Sequence, residues 1–145
     1  MTEQPTSYKL DDIEVGQKVK FTVTMDESML DGFAKISGDY NPLHMDQVYA
    51  AKTSFGKRVC HGMLLASFFS RLVGMHLPGQ NALYFSQTLN FQLPCFMGDI
   101  VTIEGQVTDK SVSTKIITIK TSAYNQLGKC LVDGLAKVIV REDSE

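Results

Sequence analysis

The chain has 145 residues, 43% of them hydrophobic, and a formal net charge of -2, which suits one domain with a single core. The slightly acidic balance argues against a nucleic-acid-binding surface, which would be basic, and no apolar run reaches membrane-spanning length. The N-terminus lacks the apolar core of a secretory signal. The three cysteines show no disulfide or zinc-site pattern, so we expect a reduced, cytoplasmic protein without metal or cofactor.

The N-terminal part predicts a strand followed by a helix. Residues 1–16 are expected to be an irregular lead-in, and Lys18 to Met25 alternates apolar and polar residues, which is typical of a half-buried strand. The segment Thr24 to Glu27 has the pattern of a capping box that begins a helix. Gly38 is well placed as the left-handed residue that ends this helix.

Residues 45–60 are predicted to be rich in loops and carry three cations, Lys52, Lys57 and Arg58. One interpretation is that this segment covers a ligand and places these cations near its anionic end. The other is an ordinary solvated loop, and charge alone favours it.

The remainder predicts one helix and a sheet. His61 to His76 is the most apolar stretch and predicts a helix buried on all sides, which ends at Pro78-Gly79. Four strands are predicted after it: Leu83 to Leu93, Val101 to Val107, Ile117 to Ala123 and Cys130 to Val140. With short turns between them, these strands form an antiparallel sheet. The prediction is a single α+β domain over residues 1–145, with five strands around one central helix and a solvated tail at 141–145.

The stretch Gly38-Asp-Tyr-Asn-Pro-Leu-His44 places a carboxylate and an imidazole five residues apart. Pro42 disfavours a helical Asn41, so the chain bends and can bring Asp39 and His44 to one small volume. A carboxylate and a group that titrates near neutrality form a natural proton-transfer pair. The alternative is that Asp39 and Asn41 make turn bonds and His44 is a surface residue.

The apolar helix also carries several small or polar residues. Gly62 lies at the start of the helix, where unpaired N–H groups and a missing Cβ would suit an oxyanion, or it only relieves crowding between helix and sheet. His61 and His76 are predicted to be structural. The hydroxyls of Ser67 and Ser70 are expected to bond back to carbonyls one turn earlier.

Two motifs, Asp39-Tyr-Asn-Pro-Leu-His44 and His61-Gly-Met-Leu-Leu-Ala-Ser67, resemble the MaoC-like branch of the hot-dog fold. Gln87-Thr-Leu-Asn-Phe-Gln-Leu-Pro94, followed by Gly98-Asp99, strengthens the resemblance, which covers about Ile13 to Val140. Within this branch the chain is most similar to the (R)-specific enoyl-CoA hydratases that supply polyhydroxyalkanoate synthesis. The resemblance implies a hot-dog domain, a homodimer with sheets joined edge to edge, and an acyl-CoA thioester substrate.

The resemblance also implies roles for individual residues. Asp39 would take a proton from water as it attacks C3 of a trans-2-enoyl thioester, and His44 would deliver a proton to C2 on the same face, giving the (R)-3-hydroxyacyl thioester. The N–H of Gly62 would hold the thioester oxygen. Three residues would line an acyl pocket for chains of roughly four to six carbons: Ser70, Val73 and Val138. The alternatives are a hot-dog thioesterase, a 3-hydroxyacyl-acyl-carrier-protein dehydratase and a non-catalytic acyl-CoA-binding module.

Overall fold

The structure, a computed structural model, describes residues 3–142. The helices are α1 (Glu27–Ser37), α2 (Pro42–Met45), α3 (Gln47–Ala51) and α4 (Gly62–Arg71), and α4 continues as a π-helix over Leu72–His76. The strands are β1 (Lys18–Thr24), β2 (Ala82–Gln87), β3 (Asn90–Phe91), β4 (Ile100–Ser111), β5 (Ile116–Tyr124) and β6 (Cys130–Val140). Within residues 3–142 no helix is both long enough and apolar enough to cross a membrane. Residues 1–2 of the predicted lead-in and 143–145 of the predicted tail lie outside this range.

The strands form one antiparallel sheet in the order β1-β4-β5-β6-β2, and β3 also pairs with β6. The predicted α+β class and antiparallel sheet are therefore confirmed, with six strands instead of five. The predicted strand from Leu83 to Leu93 is interrupted at Thr88, whose N–H donates to the Leu135 carbonyl. Gly134 allows this crossing, because a Cβ there would collide with the Thr88 carbonyl.

The N-terminal part is more ordered than the sequence suggests. Leu10 and Ile13 are buried in the core, a short 3₁₀ turn covers Leu10–Asp12, and Ser7 forms an isolated antiparallel bridge with Gly79. Apart from this turn and bridge, residues 3–16 have no regular helix or strand, and their two large apolar side chains anchor the segment in the core.

The ends of α1 decide where the Asp39 motif begins. The helix is capped by Asp26, whose Oδ1 accepts the N–H of Met29 at 3.0 Å, so the predicted cap at Thr24 is wrong by two residues. The left-handed Gly38, with φ of 80°, ends the helix as predicted. Asp39 is therefore the first residue after a fixed helix end.

The central helix is covered by the sheet on one side only. Its buried side chains face the sheet: Leu64, Leu65 and Phe69. Its opposite side leaves three residues exposed: Met63, Ser67 and Ser70. The predicted burial on all sides is wrong for the single chain, because one curved sheet cannot enclose a helix completely. The Ser67 hydroxyl bonds back to the Leu64 carbonyl, as expected.

Candidate active site

Two successive side-chain turns shape the chain after α1. The Asp39 carboxylate accepts the N–H of Asn41 at 3.1 Å, and the Asn41 side chain accepts the N–H of Leu43 at 3.0 Å. Asn41 thereby caps α2, which has Pro42 at its first position, where a missing N–H is harmless. The predicted bend is present, and the predicted turn bonds of Asp39 and Asn41 are present with it.

His44 is held in one orientation by the chain that leads into α4. Its Nδ1 donates to the Val59 carbonyl at 2.7 Å, and since a carbonyl only accepts, Nδ1 carries a proton. Nε2 is then the ring nitrogen left for proton transfer. One side-chain atom each of Asp39, His44 and His61 lies within 4.8 Å of the other two. The fold therefore brings Asp39 and His44 together, and His44 is half-buried instead of lying at the surface.

His61 connects the two motifs. Its Nε2 donates to the Asp39 carbonyl at 3.0 Å, and its ring stacks on His44 with 4.2 Å between centroids. Burial lowers the pKa of His61, and the hydrogen bond with the Asp39 carbonyl opposes this effect only in part. A neutral, buried His61 that fixes the backbone of Asp39 agrees with the structural role expected from the sequence.

Asp39, His44 and His61 are also the donor types that bind transition metals. They form the one such group of three found within residues 3–142. The expectation that the protein needs no metal or cofactor stays a prediction.

Arg58 belongs to the site, although neither interpretation of the 45–60 segment expected it there. Its side chain is only 6% exposed, and its Nε donates to the His44 carbonyl at 2.6 Å. Its guanidinium also pairs with Glu27 at 3.2 Å, which ties the start of α1 to the loop. The segment itself is less irregular than predicted, because α3 forms over Gln47–Ala51 with Asp46 as its cap.

A cavity of about 470 Å³ lies beside His44 and the start of α4. Gly62 and Phe91 both line it, and they touch each other: a Cβ at Gly62 would be 2.7 Å from the Phe91 ring. Gly62 is also the first residue of α4, where its N–H has no partner within the helix. Both interpretations of Gly62 thus have a physical basis.

A second cavity, of about 510 Å³, lies along the exposed side of α4 and contains Ser70. Met63 lines both cavities. Tyr84 closes the second one, where burial raises the pKa of Tyr84 to about 12 and its hydroxyl donates to Gln87 at 2.7 Å.

The three residues predicted to line an acyl pocket do not share one surface. Val73 and Val138 belong to one buried core cluster, whereas Ser70 is exposed in the second cavity. Ser70 and Val73, three residues apart, would share one face of a regular α-helix, but the backbone becomes a π-helix at Leu72.

The sequence matches the family model of the MaoC like domain over residues 12–126. The chain belongs to the MaoC-like family. It is 44% identical to the (R)-specific enoyl-CoA hydratase of Aeromonas caviae, over 87% of this chain and 94% of that protein. It is also 34% identical to a mitochondrial 3-hydroxyacyl-[acyl-carrier-protein] dehydratase of Solanum lycopersicum, over 88% of this chain and 78% of that protein.

Solved structures of MaoC-like proteins have the same fold. An unliganded R-hydratase of Pseudomonas aeruginosa superposes with a TM-score of 0.93 at 38% identity, covering 97% of this chain and 90% of that one. An (R)-hydratase of Aeromonas caviae, described as involved in PHA biosynthesis, gives 0.86 at 43% identity, covering 88% and 97%. The predicted hot-dog fold is therefore confirmed for this chain.

Proposed function

We propose that the protein is a hydro-lyase, an (R)-specific enoyl-CoA hydratase. Asp39 takes a proton from water, and the water oxygen attacks C3 of a trans-2-enoyl-CoA. The protonated His44 donates from Nε2 to C2 on the same face, which gives the (R)-3-hydroxyacyl-CoA. The thioester oxygen, on which negative charge develops, accepts from the N–H of Gly62 at the positive end of α4.

The observation that carries this proposal is that Asp39 lies close to His44, which lines a cavity. One side-chain atom of Asp39 lies within 4.8 Å of one of His44, close enough for a single water to bridge the two side chains. His44 lines the cavity together with Gly62, and its Nδ1 bond to Val59 directs the other ring nitrogen to the reaction. The (R)-specific hydratases among the relatives support the same chemistry.

The test is hydration of crotonyl-CoA, followed by loss of the enoyl thioester absorbance and by the stereochemistry of the product. Asp39→Asn and His44→Gln should each lower kcat by about 10²–10⁴-fold, the usual contribution of an acid–base group. Asp46→Asn, which keeps a capping side chain, and His76→Gln at the far end of the helix are matched controls. Near-normal turnover by folded Asp39→Asn or His44→Gln would remove the pair from the mechanism.

A 3-hydroxyacyl-acyl-carrier-protein dehydratase is the second candidate function, and the dehydratase of Solanum lycopersicum favours it. It shares the acid–base chemistry and differs in the carrier, so kcat/KM for matched CoA and carrier-protein thioesters separates the two. Release of free thiol from a saturated acyl-CoA would instead indicate a thioesterase. Binding without turnover would indicate an acyl-CoA-binding module.

The protein is further proposed to be a homodimer. Strand β2 is one of the two outer strands of the sheet, and the polypeptide from β2 to Pro94 exposes large apolar side chains, among them Leu83, Phe85, Phe91 and Leu93. Joining two such edges would pair the free backbone groups and cover these side chains. Light scattering should give the dimer mass at micromolar protein. The cytoplasmic location and the supply of polyhydroxyalkanoate precursors stay predictions, the second supported by the Aeromonas caviae protein.

The acyl chain is proposed to run from Gly62 along α4 towards Ser70. Met63 supports this path, because it lies between the two cavities and lines both. Val73 and Val138 pack behind the helix in the core, so in this proposal they limit the depth of the pocket through the position of the helix.

A further inference from the structure

Two of the three cysteines lie directly opposite each other beside the candidate active site. Val59 and Phe96 form an isolated antiparallel bridge, so the next residues along, Cys60 and Cys95, face one another. The N–H of Cys60 donates to the Cys95 carbonyl at 2.7 Å. Opposite residues of an antiparallel pair have Cα atoms about 4.5–5.5 Å apart, which lies within the span of about 4.4–6.8 Å that a disulfide bridges.

The two thiols are close enough to influence each other. The neighbouring Cys60 thiol, together with burial, raises the pKa of Cys95. Both side chains are buried, yet both line the cavity that holds His44 and Gly62. Cys130 is separate from this pair and contacts Val132 and Asp133 in β6.

We propose that Cys60 and Cys95 are an oxidation site, where a peroxide converts the thiol pair into a disulfide. One sulfur attacks a peroxide oxygen, the O–O bond breaks, and the products are a sulfenic acid and water. The second sulfur then attacks the first and displaces its hydroxyl group as another water. Each sulfur loses one electron and the peroxide gains two. The reverse reaction needs a dithiol.

The disulfide would act on the site through the chain that follows Cys60. His61 and Gly62 come next, and His61 holds both the Asp39 carbonyl and the His44 ring. Joining the sulfurs brings them to about 2.05 Å and pulls Cys60 towards Cys95. This effect rests on the proposed function: we expect kcat/KM for crotonyl-CoA to fall about tenfold, because small misplacements of reacting groups are costly.

The direct test does not depend on activity. The folded protein is treated with hydrogen peroxide at pH 8, free thiols are blocked with N-ethylmaleimide under denaturing conditions, and tryptic peptides are analysed without reduction. Trypsin separates Cys60 (residues 59–71), Cys95 (residues 72–110) and Cys130 (residues 130–137). We expect the first two peptides to be linked with the loss of two hydrogens, and the Cys130 peptide to carry the maleimide.

The possible outcomes test the proposed disulfide and the proposed function independently. Three results would each overturn the proposal. They are maleimide-blocked thiols at Cys60 and Cys95, separate sulfinic or sulfonic acids at these residues, and disulfides that involve Cys130. Cys130→Ala should keep both the link and the basal activity, and Cys95→Ala should lose the link. Dithiothreitol should restore activity lost through the disulfide, whereas it does not reduce oxidised methionine. A mapped link in a protein without hydratase activity would contradict the proposed function only.

Discussion

Replacing Gly62 with alanine would separate the two interpretations of this residue. The new Cβ would lie 2.7 Å from the Phe91 ring, so the ring must give way by about 0.7 Å to reach an ordinary contact of 3.4 Å. Overpacking costs typically about 1–3 kcal/mol, and the low end applies because Phe91 is largely exposed. The free energy of unfolding should therefore fall by about 1 kcal/mol.

Activity should respond much more strongly than stability. If the thioester oxygen must approach the N–H of Gly62, a Cβ beside that N–H weakens the hydrogen bond. Loss of such a donor costs about 2.7–4 kcal/mol, or roughly 10²–10³-fold in kcat. Crotonyl-CoA hydration and urea unfolding should be measured on Gly62→Ala. The matched control is Gly32→Ala in α1, where a Cβ meets nothing within 4 Å and activity should be unchanged.

A double variant decides which contact matters. Gly62→Ala combined with Phe91→Leu removes the crowded ring but leaves the new Cβ beside the N–H. Activity should stay low in the double variant, while Phe91→Leu alone remains active. Recovery of activity in the double variant would show that Gly62 only accommodates Phe91, and the oxyanion role would be refuted.

Three further predictions concern residues around this centre. Arg58→Met should destabilise the protein by about 1.5–3 kcal/mol through loss of a charged hydrogen bond. It should also lower kcat/KM for crotonyl-CoA about tenfold, because the His44 carbonyl loses its donor. The control Glu27→Gln keeps that donor, and its kcat/KM should stay within about twofold of wild type. Burial places the pKa of His61 below its ordinary 6.5 in the folded state, so the unfolded chain binds more protons there below pH 6.5. The stability that is complete above pH 6.5 is therefore lost as the pH falls below that value. Between pH 7 and 5, the free energy of urea unfolding should decrease less for His61→Gln than for wild type or His76→Gln. Met63→Ala should join the two cavities and raise kcat/KM for an eight-carbon enoyl-CoA relative to crotonyl-CoA about tenfold, and an unchanged ratio would exclude an acyl path past Met63.

Local chemistry made much of the site predictable from sequence. Gly38 ends a helix because it tolerates a left-handed backbone, and the Asp-x-Asn-Pro order then specifies two side-chain turns within a few residues. These rules act over a single turn of chain, so they place Asp39 and His44 on one side of a bend without knowledge of the remaining fold. The strands after α4 were predictable for the same reason, because alternation and turn residues are local signals.

Contacts between distant segments could not be read in this way. Arg58 looks like any loop cation in the sequence, yet the fold places its guanidinium between the His44 carbonyl and Glu27, 31 residues away. A buried arginine is tolerated only where such partners exist, and the partners of Arg58 come from two helices, α1 and α2. The same limit applies to Cys60 and Cys95, whose spacing predicts nothing until the bridge at Val59 and Phe96 sets them face to face. Arg58 and the Cys60–Cys95 pair, which depend on contacts between distant segments, can thus be recognised only in the folded chain. Asp39 and His44, which lie on one local bend, can be recognised in the sequence.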